Sequence, residues 1–189
     1  MAISINGNGT ITGISVGGLP DGIVDTDMLA AGAATAPKRG AGSILQTVFA
    51  SEGNIATNTT TSYADTGLSA TITPSSSSNK IQVMVSQPYR IGRASASDAS
   101  GAIQLYRSIS GSEASVTGNQ GYLLYFDAAG LGTSNGVYYY NIYSVSTQDS
   151  PNTTSAVTYL TKARTYSSST DIKTQYNGAA YITLMEIAA

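Results

Sequence analysis

From Ser43 onward the chain alternates apolar and polar residues with a period of two. Leu68, Ala70 and Ile72 alternate with Ser69, Thr71 and Thr73, and Ile81, Val83 and Val85 alternate with Lys80, Gln82, Met84 and Ser86. Successive side chains of a strand point to opposite faces, so the pattern predicts strands with one buried face. About eight strands are read this way, at 43–51, 62–73, 80–87, 101–110, 121–127, 136–146, 155–165 and 179–188. Turn clusters separate them, among them Pro74-Ser75-Ser76-Ser77-Ser78-Asn79 and Gln148-Asp149-Ser150-Pro151-Asn152. No ten-residue helical pattern appears in this region. Loops of mixed length between about eight strands predict an all-β chain folded as a jelly-roll-like β-sandwich, in preference to an up-and-down barrel.

Two of these strands are apolar on both faces. In 136–146, Val137, Tyr139, Tyr143 and Val145 fall on one side and Tyr138, Tyr140 and Ile142 on the other. In the last strand Tyr181, Met185 and Ile187 lie opposite Ile182 and Leu184. A sandwich buries one face of each strand, so the second face needs a cover, either another subunit or a long loop. Tyr138, Tyr140, Ile142, Tyr181 and Met185 are therefore the subunit-interface candidates, with a homotrimer as the expected assembly.

Residues 1–42 read differently, as an extended N-terminal arm ahead of a head domain at 43–189. Ile3-Ser4-Ile5, an Asn6-Gly7-Asn8-Gly9 turn and Thr10 to Val16 predict two short strands around a tight reversal. Asp25 or Asp27 is placed to cap a turn or two of helix through Met28-Leu29-Ala30-Ala31, and Ala33 to Gly40 has linker composition. Ile3, Ile5, Ile11, Ile14, Val16 and Leu19 have no second layer of their own to bury them. They are the candidate attachment residues, to be ordered against a partner.

Composition removes most chemistry. The 189 residues contain no Cys and no His, which excludes disulfides, thiol nucleophiles, Ser/His/Asp triads and the common zinc sites. Nine Lys/Arg against eleven Asp/Glu give a net charge of −2, without the basic footprint of a nucleic-acid binder. Charged residues are only 11% of the chain, so polarity rests on Ser, Thr and Gly. Such a surface suits packing into an assembly better than dispersal as a monomer. The thirteen Tyr suit strands and interfaces, since the ring buries while the hydroxyl keeps a partner. The start of the chain lacks a basic and apolar leader pattern, and no run of eighteen apolar residues predicts a membrane span. No cofactor is expected.

A carboxylate pair for glycoside hydrolysis remains conceivable from Asp21, Asp25 and Asp27, which read better as turn and cap residues. Glu52, Glu113 and Glu186 have no local partner. Gly7-Asn8-Gly9 has no long helix after it and is no phosphate cradle. Arg90 and Arg93 beside Tyr89 suggest a small sugar or phosphate patch, against the plainer reading of a solvated loop.

The run from Ile5 through Ile11-Thr12-Gly13-Ile14 to Leu19-Pro20-Asp21-Gly22 resembles the start of small virion structural proteins of tailed phages, many from marine and cyanobacterial hosts. Ala41 to Gln46, Leu68 to Val85, Asp149 to Thr154 and Ile182 to Ala188 resemble the same group, and residues 94–135 carry little of the likeness. The resemblance implies a non-enzymatic tail-fibre or virion protein. It would be assembled in the host cytoplasm and carried on the particle exterior, with other phage virion proteins as partners. At 189 residues the chain is short for a fibre shaft, which keeps a capsid decoration or head-fibre role in view. A host-glycan-binding head that uses exposed Tyr and Asn is the alternative of another class. Nucleic-acid binding and membrane insertion are not expected.

Overall fold

The computed structural model describes residues 4–5, 11–12, 39–93, 99–118, 124–126 and 136–189. The chain divides into two compact units, Met1–Arg39 and Gly40–Ala189. In the first, β1 (Ser4–Ile5) pairs antiparallel with β2 (Ile11–Thr12), so that Ile5 stands opposite Ile11. Ile3, Ile14, Val16 and Leu19, the three Asp of the arm and the expected helical turn lie outside the described residues.

The second unit is all-β. Its strands are β3 (Ile44–Glu52), β4 (Ala56–Asn58), β5 (Ala64–Ile72), β6 (Lys80–Arg93), β7 (Ala99–Ile109) and β8 (Ser112–Ser115), followed by β9 (Leu124–Phe126), β10 (Val137–Asp149), β11 (Val157–Thr165), β12 (Thr170–Thr174) and β13 (Ala180–Ile187). Two antiparallel sheets form a sandwich. One runs β3-β13-β6 with β10 on the far edge of β6, and the other runs β5-β11-β7 with β8 and β9 on the far edge of β7. Leaving out the short β12, which pairs with β6, and β4, which pairs with β12, and taking β8 and β9 together as the fifth strand, the first sheet has the order 1-8-3-6 and the second 2-7-4-5. That alternation between sheets is the jelly-roll path.

The periodicity of two explains the core. Ile81, Val83, Val85, Tyr89 and Ile91 of β6 and Ile182 and Leu184 of β13 face Leu68 and Ile72 of β5, Ile103 and Leu105 of β7, and Val157 and Tyr159 of β11, all buried. Each such side chain stabilises the fold by roughly 1.5–3 kcal/mol relative to exposure. Gly101 lets the sheets close. A Cβ there would collide with Ile172 Cδ1 from the opposite sheet and lie 2.7 Å from the Arg164 carbonyl oxygen.

β6 continues six residues beyond its predicted end, through Pro88. Its edge facing β13 is used at Lys80–Ser86 and its edge facing β12 at Tyr89–Arg93, which leaves Gln87 and Pro88 at the gap between the two. The Pro88 carbonyl accepts the Gln175 N–H at 2.8 Å, so the proline nitrogen faces the same gap, where the ladder asks for no donor. The β12–β13 turn fills that gap with Gln175 and Asn177 at φ of 57° and 64°.

Three polar groups, two of them buried, tie strands and loops together. Asp149, expected in a turn, ends β10 on its inner face; its carboxylate accepts from Arg107 Nη1 at 2.7 and 2.9 Å and from the Tyr159 hydroxyl at 2.9 Å. Gln87 donates to Thr66 Oγ1 at 2.9 Å, and that hydroxyl lies 2.5 Å from Thr161 Oγ1. Glu186, isolated in sequence, is fully buried and accepts from Asn79 Nδ2, Gln46 Nε2, and the Ser75 N–H and hydroxyl at 2.6–2.8 Å. Burial would raise its pKa, but these four donors outweigh it and hold the carboxyl below its ordinary value.

Candidate functional site

Residues opposite one another in an antiparallel ladder share a face. On the outer face of the larger sheet, Tyr138, Tyr140 and Ile142 of β10 therefore stand beside Gly92, Arg90 and Pro88 of β6. On the same face Tyr181, Thr183 and Met185 of β13 stand beside Ser86, Met84 and Gln82 of β6. All five interface candidates from the sequence thus come to one surface. Tyr138, Tyr140, Ile142 and Tyr181 are exposed, and Met185 is half-buried.

Sequence reasoning missed Phe49 and Met84. Phe49 lies opposite Thr183 and stacks on Tyr181 with ring centroids 5.9 Å apart at 24°. Val48 packs inward against the core while Phe49 points out, so β3 is a third strand apolar on both faces. That signal was readable in Val48-Phe49-Ala50. Phe49, Tyr138, Tyr140, Ile142 and Tyr181 are between 46% and 63% exposed. Exposed apolar surface that runs across neighbouring strands is the mark of an interaction face.

The far end of this face has another chemistry. Arg90 and Arg93 are not in a loop: both lie on β6 and both are buried, because the strand runs on through Pro88. Arg90 points to the outer face and pairs with Asp171 of β12. Its guanidinium carbon lies 4.4 Å from the Tyr138 ring centroid and 5.1 Å from that of Tyr176, and Tyr176 packs on Tyr140 at 5.7 Å. Arg90, Arg93, Asp171, Tyr138, Thr59 and Ser168 border a cavity of about 190 Å3. Tyr89 points inward, and burial, aided by Tyr139, raises its hydroxyl pKa.

A second cavity, of about 240 Å3, lies at the inner side of β10 between Tyr89, Thr117 and Tyr143. Burial pushes the Tyr143 hydroxyl up to about 12, which keeps it neutral at any ordinary pH. Among the described residues, the glutamates singled out in the sequence are engaged away from both cavities. Glu113 pairs with Lys162 at 2.6 Å, Glu52 accepts the Asn54 N–H at 2.7 Å, and Glu186 is saturated by its donors. Among the described residues no three His, Cys, Asp or Glu gather to hold a metal, and no helix is long and apolar enough to cross a membrane. In comparison with known proteins, no protein family and no curated protein matches the chain.

Proposed function

We propose that this chain is a non-enzymatic structural protein of a phage virion, a component of a tail or adsorption fibre. The sandwich unit associates as a homotrimer through the outer face of its larger sheet, and residues 1–42 dock the trimer on the particle. The exposed run of Phe49, Tyr181, Met84 and Ile142 across β3, β13, β6 and β10 carries this reading. Large apolar side chains contribute roughly 1.5–3 kcal/mol each when buried, enough for several per subunit to outweigh the cost of association. The phage-like segments of the sequence supply the setting, and the low charge suits a surface held within a particle.

The arm reading rests on short strands whose edges invite pairing with another chain's sheet. The test is complementation. A chain lacking residues 1–42 is expressed in infected cells that lack the full-length protein, and purified virions are assayed for it. The truncated chain is expected to be soluble, β-rich and missing from the particles. Incorporation at normal copy number would assign attachment to the sandwich instead.

A further inference from the structure

The Tyr138 ring packs closely against the end of the sheet, and two glycines make this possible. A Cβ at position 92 would stand 2.5 Å from Tyr138 Cδ1 and 2.8 Å from Cε1. A Cβ at position 136 would stand 3.0 Å from the Tyr138 hydroxyl oxygen. The ring therefore spans from the Gly92 backbone to Gly136, with the Arg90 guanidinium packed against it, while half of the residue stays open to solvent. Arg90 is itself held by Asp171. The platform is fixed before any ligand arrives.

Hydrogen-bonding groups ring the platform. Asp171 Oδ1 would lie 2.9 Å from the same Cβ at position 92, so this carboxylate oxygen sits beside the ring while Oδ2 takes Arg90. Thr59 and Ser168 also border the 190 Å3 cavity. That volume is below the usual 300–1,000 Å3 of drug-sized pockets and admits a single ring. A flat aromatic face takes the C–H face of a sugar, and carboxylate and hydroxyl groups take its equatorial hydroxyls. Arg90 and Arg93 border the same cavity as Asp171, and Arg90 pairs with it, so the charges there are mixed rather than acidic.

We propose that Tyr138, Asp171, Thr59 and Ser168 form a subsite for one pyranose ring, at the end of the outer face that carries Tyr138 and Asp171. The inference goes beyond the structural role proposed above, and it requires that the Tyr138 end of this face stay open in the assembly.

The experiment is saturation-transfer NMR on the full chain with a panel of neutral methyl pyranosides (gluco, galacto, manno and N-acetylglucosamine forms) and with glucuronate, each at millimolar concentration. Transfer to the ring protons of at least one of these sugars is expected. Tyr138→Ala should lower the binding at least tenfold, and Gly92→Val, which lifts the ring off its seat, should do the same. Phe49→Ala should leave it unchanged. Circular dichroism on each variant separates loss of the platform from loss of the fold. Absence of transfer to every sugar of the panel, or transfer that survives Tyr138→Ala in a folded protein, would overturn the proposal.

Discussion

Ile142 on β10 stands directly opposite Pro88 on β6. Because the Pro88 backbone turns toward Gln175, the pair is not hydrogen-bonded, and the Ile142 N–H points off the outer edge of β10. The Asn141 side chain accepts that N–H at 2.7 Å. Among the described residues β6 is the one strand paired with β10, so one residue pair sits at both the apolar face and the sheet edge. A charge at Ile142 would therefore alter the proposed interface without touching the core.

The Asp149 tie should be worth measuring alone. Asp149→Ala removes the acceptor of Arg107 and Tyr159 and leaves both donors at the sandwich end. A loss of about 2 kcal/mol is expected, since hydrogen bonds to charged groups contribute about 1.5–3 kcal/mol each and Arg107 keeps some solvent. Urea unfolding gives the value, and an unchanged midpoint would show that the tie contributes nothing.

Glu186 sets an acid limb. Its pKa is lower folded than unfolded, so the unfolded chain binds the proton first. The stabilisation is full above the unfolded value of about 4.3 and fades as pH falls through the lower folded value. Melting temperature should drop through this window in the unmodified protein. Glu186→Gln should be less stable at neutral pH and should show a flatter acid limb; a parallel curve would remove Glu186 from the explanation.

Gly101→Ala should destabilise by about 1–3 kcal/mol through overpacking. The new methyl meets Ile172 and the Arg164 carbonyl. Trimming the neighbour in the double variant Gly101→Ala, Ile172→Val should recover part of the loss. Strict additivity of the two single effects in thermal unfolding would contradict the contact.

Each of the eight strands read from the sequence falls on a strand of the fold, because alternation reports directly which face is buried. The sequence pattern places the end of this strand at Gln87, and only the tertiary gap between β13 and β12 shows why Pro88 is tolerated inside β6. β4, β8 and β12 span three to five residues, too short for a periodicity, and they exist through pairing with distant partners. The face that carries the candidate site was legible in β10 and β13, whose both-sided apolar pattern needs no third dimension. The Arg90–Asp171 pair was not, since 81 residues separate its members.

The account turns on whether the outer face of the larger sheet is covered by other copies of the chain. Light scattering after size exclusion, on the full-length protein at micromolar concentration, reads this directly. The predicted result is a single species of three times the 19.4 kDa chain mass, falling to one chain mass in Ile142→Asp and Phe49→Asp with unchanged circular dichroism. A monomeric unmodified protein, or a trimer indifferent to both substitutions, would contradict it.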